Sequence, residues 1–104
     1  MPEIAIGEAQ NGSSLTVSVG DDIRLDLTEN PTTGFRWHPV GIDGTVLQLR
    51  ADDFAPGAAI GGGGGRRLRW AALRPGVTEV RLELKRAWEA AAPRSVFTIR
   101  LSVT

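Results

Sequence analysis

The sequence contains no cysteine. That excludes a disulfide scaffold, a thiolate metal site and a cysteine nucleophile. It contains one histidine, His38. A zinc site built from several histidines is therefore impossible, and any Ser-His-Asp arrangement would have to use this residue. No apolar stretch approaches the roughly 20 residues that a membrane span needs, so no membrane association is expected. The start, Met1-Pro2-Glu3-Ile4, lacks a basic segment followed by an apolar one, so no signal peptide is visible. A cytoplasmic protein and the mature form of an exported one both fit. Net charge is absent too: twelve basic residues cancel twelve acidic ones. A surface that tracks phosphates shows a basic excess, so nucleic acid is not expected as a partner.

What is present points to one domain over residues 1–104. The chain has 104 residues, 41% apolar and 23% charged, which is ordinary globular composition. Long helical patterns are scarce, and period-two alternation recurs. Leu15, Val17 and Val19 alternate with polar residues, as do Ile23, Leu25 and Leu27. Leu47 and Leu49 form a shorter run. Leu68, Trp70 and Ala72, then Val80, Leu82 and Leu84, and finally Phe97, Ile99, Leu101 and Val103 complete the set. Strict alternation means one face buried and one face wet. Turn residues punctuate the runs at Asn11-Gly12-Ser13, Gly20-Asp21-Asp22, Asn30-Pro31, Asp43-Gly44, Pro56-Gly57 and Pro75-Gly76. Seven or eight short strands at this spacing predict an all-β, immunoglobulin-like β-sandwich. Trp37 stands where such a domain places its core tryptophan, and Trp70 also reads as core.

Three stretches break the alternation: residues 30–34, 53–65 and 86–93. In a sandwich, loops joining alternate strands cluster at one end, so the three together suggest a composite surface. Residues 88–92 suit a single turn of helix that Pro93 would stop. The second stretch holds five consecutive glycines, Gly61, Gly62, Gly63, Gly64 and Gly65. No Gly-Lys-Ser/Thr follows and no Gly-x-Gly-x-x-Gly register fits, so a backbone-exposing loop is expected rather than a phosphate cradle. His38 alternates with Trp37 and should face solvent. Asp21-Asp22 and Asp52-Asp53 lack the ligand spacing of a calcium loop and read as turn residues. No cofactor or metal is called for, and an enzyme reading has little to stand on.

The segment Asn30-Pro31-Thr32-Thr33-Gly34-Phe35 is more specific. Asn-Pro opens a turn with a fixed backbone angle, and Gly34 supplies a permissive exit. Two threonines stand at the tip, stiff at χ1 and able to hydrogen-bond. This segment resembles the first signature loop of the chagasin family, protein inhibitors of papain-like cysteine peptidases. The family's second signature, a Gly-x-Gly-Gly loop, is matched by the run from Gly61 to Gly65. The third, Arg-Pro-Trp or Arg-Pro-Phe, is matched by Arg86-Ala87-Trp88, with Ala87 in place of proline. All three stand in the family's order.

The resemblance implies a non-enzymatic inhibitor, monomeric when free, whose partner is a papain-like cysteine peptidase. Loop 30–34 would enter the cleft, with Thr32 and Thr33 against the catalytic cysteine and histidine. The backbone of loop 61–65 would lie along the non-primed side. Arg86 and Trp88 would cover the primed side, and no scissile bond would be offered in a reactive pose. The rival reading is an adhesion or assembly module of the same fold, binding another protein through its loops or a strand edge. It gives no reason for three signatures to occur together.

Overall fold

The computed structural model describes residues 3–30, 33–56 and 64–104. Eight strands follow in order: β1 (Glu3–Ile6), β2 (Ser14–Val17), β3 (Asp22–Glu29), β4 (Arg36–Val40), β5 (Leu47–Pro56), β6 (Gly64–Ala72), β7 (Gly76–Lys85) and β8 (Ser95–Val103). A short 3-10 turn over Glu8–Gln10 joins the first two. The strands form two four-stranded sheets, ordered β1-β3-β6-β5 and β2-β8-β7-β4. The short strands β1 and β2 run parallel to β3 and β8, and the remaining pairs are antiparallel. The molecule is a β-sandwich.

The core lies where the alternation places it. Ile23, Leu25 and Leu27 of β3 meet Leu68, Trp70 and Ala72 of β6 on one inner face. Trp37, Val80, Leu82, Phe97, Ile99, Leu101 and Val103 supply the other. All are nearly excluded from water, and the Val, Leu, Ile and Phe side chains among them each gain about 1.5–3 kcal/mol from burial.

Four expectations are corrected. Val19 lies beyond the end of β2 and is exposed, its amide bonded to the Thr104 carbonyl. Leu49 is exposed although Leu47 is buried: it sits on an edge strand, beside a register shift between Leu49 and Ala51. The break expected at 53–65 is shorter. β5 continues to Pro56 and β6 begins at Gly64, so Gly64 and Gly65 are strand residues. A Cβ at Gly64 would lie 2.1 Å from the Ala55 carbonyl oxygen, so only glycine lets the two strands approach here. Finally, residues 86–89 close one hydrogen-bonded turn, Glu89 N–H to Arg86 carbonyl at 3.2 Å, in place of a helical turn over 88–92.

Candidate functional site

Strand register places the three connections at one end of the sandwich. In the first sheet Gly64 pairs with both Glu29 and Pro56, which joins the end of β3 to the stems of the 57–63 connection. In the second sheet Arg36 pairs with Lys85, and Leu84 with Ser95. The link between sheets comes from two bonds. The Trp37 backbone N–H donates to Glu29 Oε1 at 2.7 Å, and the Trp37 indole Nε1 donates to the Thr28 carbonyl at 2.9 Å. They pin together the two stems of the connection between β3 and β4, which crosses from one sheet to the other.

Of the residues singled out from sequence, Pro31, Thr32, Gly61, Gly62 and Gly63 lie outside the described residues. The rest of the first loop is closely held. Thr33 donates its backbone N–H and its hydroxyl to the Asn30 carbonyl, at 3.3 and 2.8 Å. The same hydroxyl accepts from Phe35 N–H at 3.4 Å. Gly34 has φ +79°, a left-handed conformation that favours glycine. Thr33 therefore spends its hydroxyl inside the loop.

The third loop is fastened onto the first. Arg86 Nε donates to the Thr33 carbonyl at 2.8 Å, and Arg86 Nη1 pairs with Glu89 at 2.8 Å. The Arg86 guanidinium lies over the Phe35 ring at 4.3 Å, with Arg94 at 5.1 Å from the same ring. Such contacts contribute about 0.5–1 kcal/mol each at exposed positions. The Trp88 indole rests on Gly34: a Cβ there would lie 2.4 Å from its Cη2 atom. Trp88 nevertheless remains 73% exposed, the largest apolar side chain so displayed. An aromatic plane is thus held in water over Gly34 at the exit of the first loop, at a position where a side chain on residue 34 would displace it.

His38 departs from the simple solvated expectation. It is half-buried beside Gly34, Arg36, Ala87 and Trp88, and its Nε2 is buried without a hydrogen-bond partner. Asp52 and Asp53, expected in a turn, lie instead within β5, where they pair with Leu68 and Arg67. Glu29 and Arg66 drew no attention in the sequence. The alternation that puts Ile23, Leu25 and Leu27 inward continues to Glu29, and the one through Leu68 continues back to Arg66. A charge falling on an inward position was the available signal.

The sequence comparisons decide the family. The model described as "Chagasin family peptidase inhibitor I42" matches residues 16–103. The chain belongs to the chagasin family. It is therefore a peptidase inhibitor and not an enzyme. It is similar to Amoebiasin-1 of Entamoeba histolytica, with 28% identity over 102 residues, covering 96% of this chain and 99% of that protein. It is similar also to Chagasin of Trypanosoma cruzi, with 30% identity over 89 residues, covering 80% and 81%. Its fold matches the crystal structure of a cysteine protease inhibitor from Entamoeba histolytica with a TM-score of 0.92 at 22% identity, over 99% of this chain and 96% of that one. In this chagasin-family chain the first loop, the stems of the second and the third loop share one end of the sandwich.

Proposed function

We propose that the chain inhibits papain-like cysteine peptidases by filling the active-site cleft with the loops at this end. Residues 30–34 enter the cleft and place Thr32 and Thr33 against the catalytic pair. Residues 61–65 approach along one side through their backbone. Ala87 and Trp88 cover the other side, with the indole as the anchor. Arg86 is committed to Thr33, Phe35 and Glu89 within the inhibitor, so its part is to hold the third loop against the first. The observation that carries this reading is Trp88, exposed yet seated on Gly34. An anchor held in its bound place before association avoids part of the ordering cost, and tryptophan is among the residues that dominate interface energetics.

Thr33 is bonded to the Asn30 carbonyl and Gly34 is seated under Trp88, so these two residues resist the distortion that attack by a thiolate requires. Occlusion without cleavage follows. The test is titration of papain with the protein in a chromogenic assay, with trypsin alongside. Stoichiometric inhibition of papain and none of trypsin is expected, with the inhibitor recovered intact. Equal inhibition of both enzymes, or of neither, would overturn the reading.

A further inference from the structure

The inner row of β3 runs Ile23, Leu25, Leu27, Glu29, and that of β6 runs Ala72, Trp70, Leu68, Arg66. At the loop end of the sandwich both apolar rows finish on a charge. The Glu29 side chain is fully buried, and that of Arg66 is 13% exposed. Arg66 Nη2 and Nε donate to Glu29 Oε2 at 2.7 and 3.1 Å. Arg66 Nη1 donates to Asp52 of β5 at 3.0 Å, and the guanidinium lies 5.9 Å from the Phe54 ring centre. Burial opposes the Arg66 charge, yet its bonds and attraction to Glu29, then Asp52, raise its pKa above the ordinary arginine value. The other Glu29 oxygen accepts the Trp37 backbone N–H of the opposite sheet.

Apolar residues in these slots would pack at least as well, since a buried ion pair adds little net stability over a hydrophobic replacement. What the pair supplies is geometry. One carboxylate fixes the stem of the first loop with one oxygen and, through Arg66, both stems of the second with the other. We propose that Glu29 is a positioning residue for inhibition: with Arg66 it sets the stem of the first loop relative to the stems of the second. This rests on the inhibitory reading above.

The test uses the full chain and three variants: Glu29→Gln, Arg66→Met and the double variant. Papain inhibition, its dissociation rate and amide hydrogen exchange at Trp37 are measured on each. Residue 66 makes no bond to Trp37, so only a tie through Glu29 transmits its loss there. Arg66→Met should weaken inhibition about tenfold or more, through faster dissociation, and raise Trp37 exchange. Glu29→Gln keeps an acceptor for the Trp37 amide and should lose less. The double variant should lose no more than Arg66→Met, because two members of one unit are not additive. It also removes both buried charges, so it stands in should Arg66→Met fail to fold. Val80→Ala, a core truncation at mid-strand in β7, should lower the melting temperature without changing inhibition per folded molecule. A folded Arg66→Met or double variant with wild-type inhibition, or with wild-type exchange at Trp37, would overturn the proposal and leave the pair a structural one. Should the wild-type chain fail to inhibit papain, the inhibitory reading falls, and Trp37 exchange still decides whether the tie exists.

Discussion

Three tryptophans show how the same residue type takes different work from its surroundings. Trp37 and Trp70 lie on inner faces and are almost fully buried. Trp88 lies in a hydrogen-bonded turn outside both sheets and is exposed. The two kinds should respond oppositely to truncation. Trp88→Ala should weaken papain inhibition by about 2 kcal/mol or more while barely moving the melting temperature. Trp37→Ala should cost about 3–5 kcal/mol of stability, since it opens a core cavity and also loses the indole bond to Thr28. Inhibition kinetics and thermal melts on both variants separate the cases. Unfolding by Trp88→Ala with unchanged affinity per folded molecule would reverse the assignment. The exposed position of Trp88 was legible from sequence, because no alternating run includes it. Its seat on Gly34 was not: that contact spans 54 positions of chain and exists only once β4 and β7 pair.

At the scale of the element, the third loop departs from its family in one place and the turn explains what the departure means. Arg86, Ala87, Trp88 and Glu89 form a turn closed by the Glu89 N–H bond to the Arg86 carbonyl. Ala87 occupies its second position, where proline's fixed φ is well suited. Ala87→Pro should therefore be accommodated and should narrow the conformations open to the free loop. The expected gain in papain affinity is modest, roughly 0.4–1 kcal/mol, by analogy with proline at other compatible sites. It should appear as slower dissociation in surface-plasmon or stopped-flow measurements. A faster off-rate with the fold intact by circular dichroism would mean that Arg86 holds an angle that a following proline disfavours. The edge of the 61–65 run shows the limit of reading elements from composition. Five glycines read as loop, yet Gly64 and Gly65 pair with β5 and β3. The close approach of Ala55 demands glycine at 64, and that demand comes from the neighbouring strand, not from the run itself.

Across the whole molecule, charges are arranged as a network on the outer face and a pair within. On the outer face Glu3, Arg24, Asp26, Arg67 and Arg69 link β1, β3 and β6. Burial opposes ionisation of Asp26, but Arg67 and Arg24 outweigh it and hold its carboxyl below the usual 3.8. Hydrogen bonds from the Thr45 hydroxyl and amide do the same for Asp43, and Arg81 with Lys85 lowers Glu83 below 4.5. A carboxylate depressed in the folded chain binds protons less readily than in the unfolded one. Its contribution is complete above the unfolded value and is lost as pH falls through the folded one. The melting temperature should thus hold steady from neutrality to about pH 5 and decline progressively below about pH 4. Since Asp43 is exposed and Asp26 and Glu83 are partly so, 1 M salt should shrink the decline. Scanning calorimetry from pH 7 to 2.5 at low and high salt checks this. A melting temperature that rises on acidification would contradict it.

The sequence by itself determined most of the strands and their inward faces, with β1, Val19 and Leu49 as exceptions, because period-two alternation is a property of neighbouring residues and needs no partner to be read. It also determined the family resemblance, through residues contiguous in each loop. Tertiary structure alone decided which loop leans on which. Arg86 reaches Thr33 across 53 positions of chain, and Glu29 reaches Arg66 across 37. Contacts at such separations depend on sheet order and register. Register is fixed by the burial of whole strands at once, since a slip of one residue would turn every apolar side chain of a strand outward. The inward charges at Glu29 and Arg66 were visible in the alternation. That they meet, and that the meeting point lies beneath the loops, follows only from the pairing of β3 with β6 and the packing of β4 across from them.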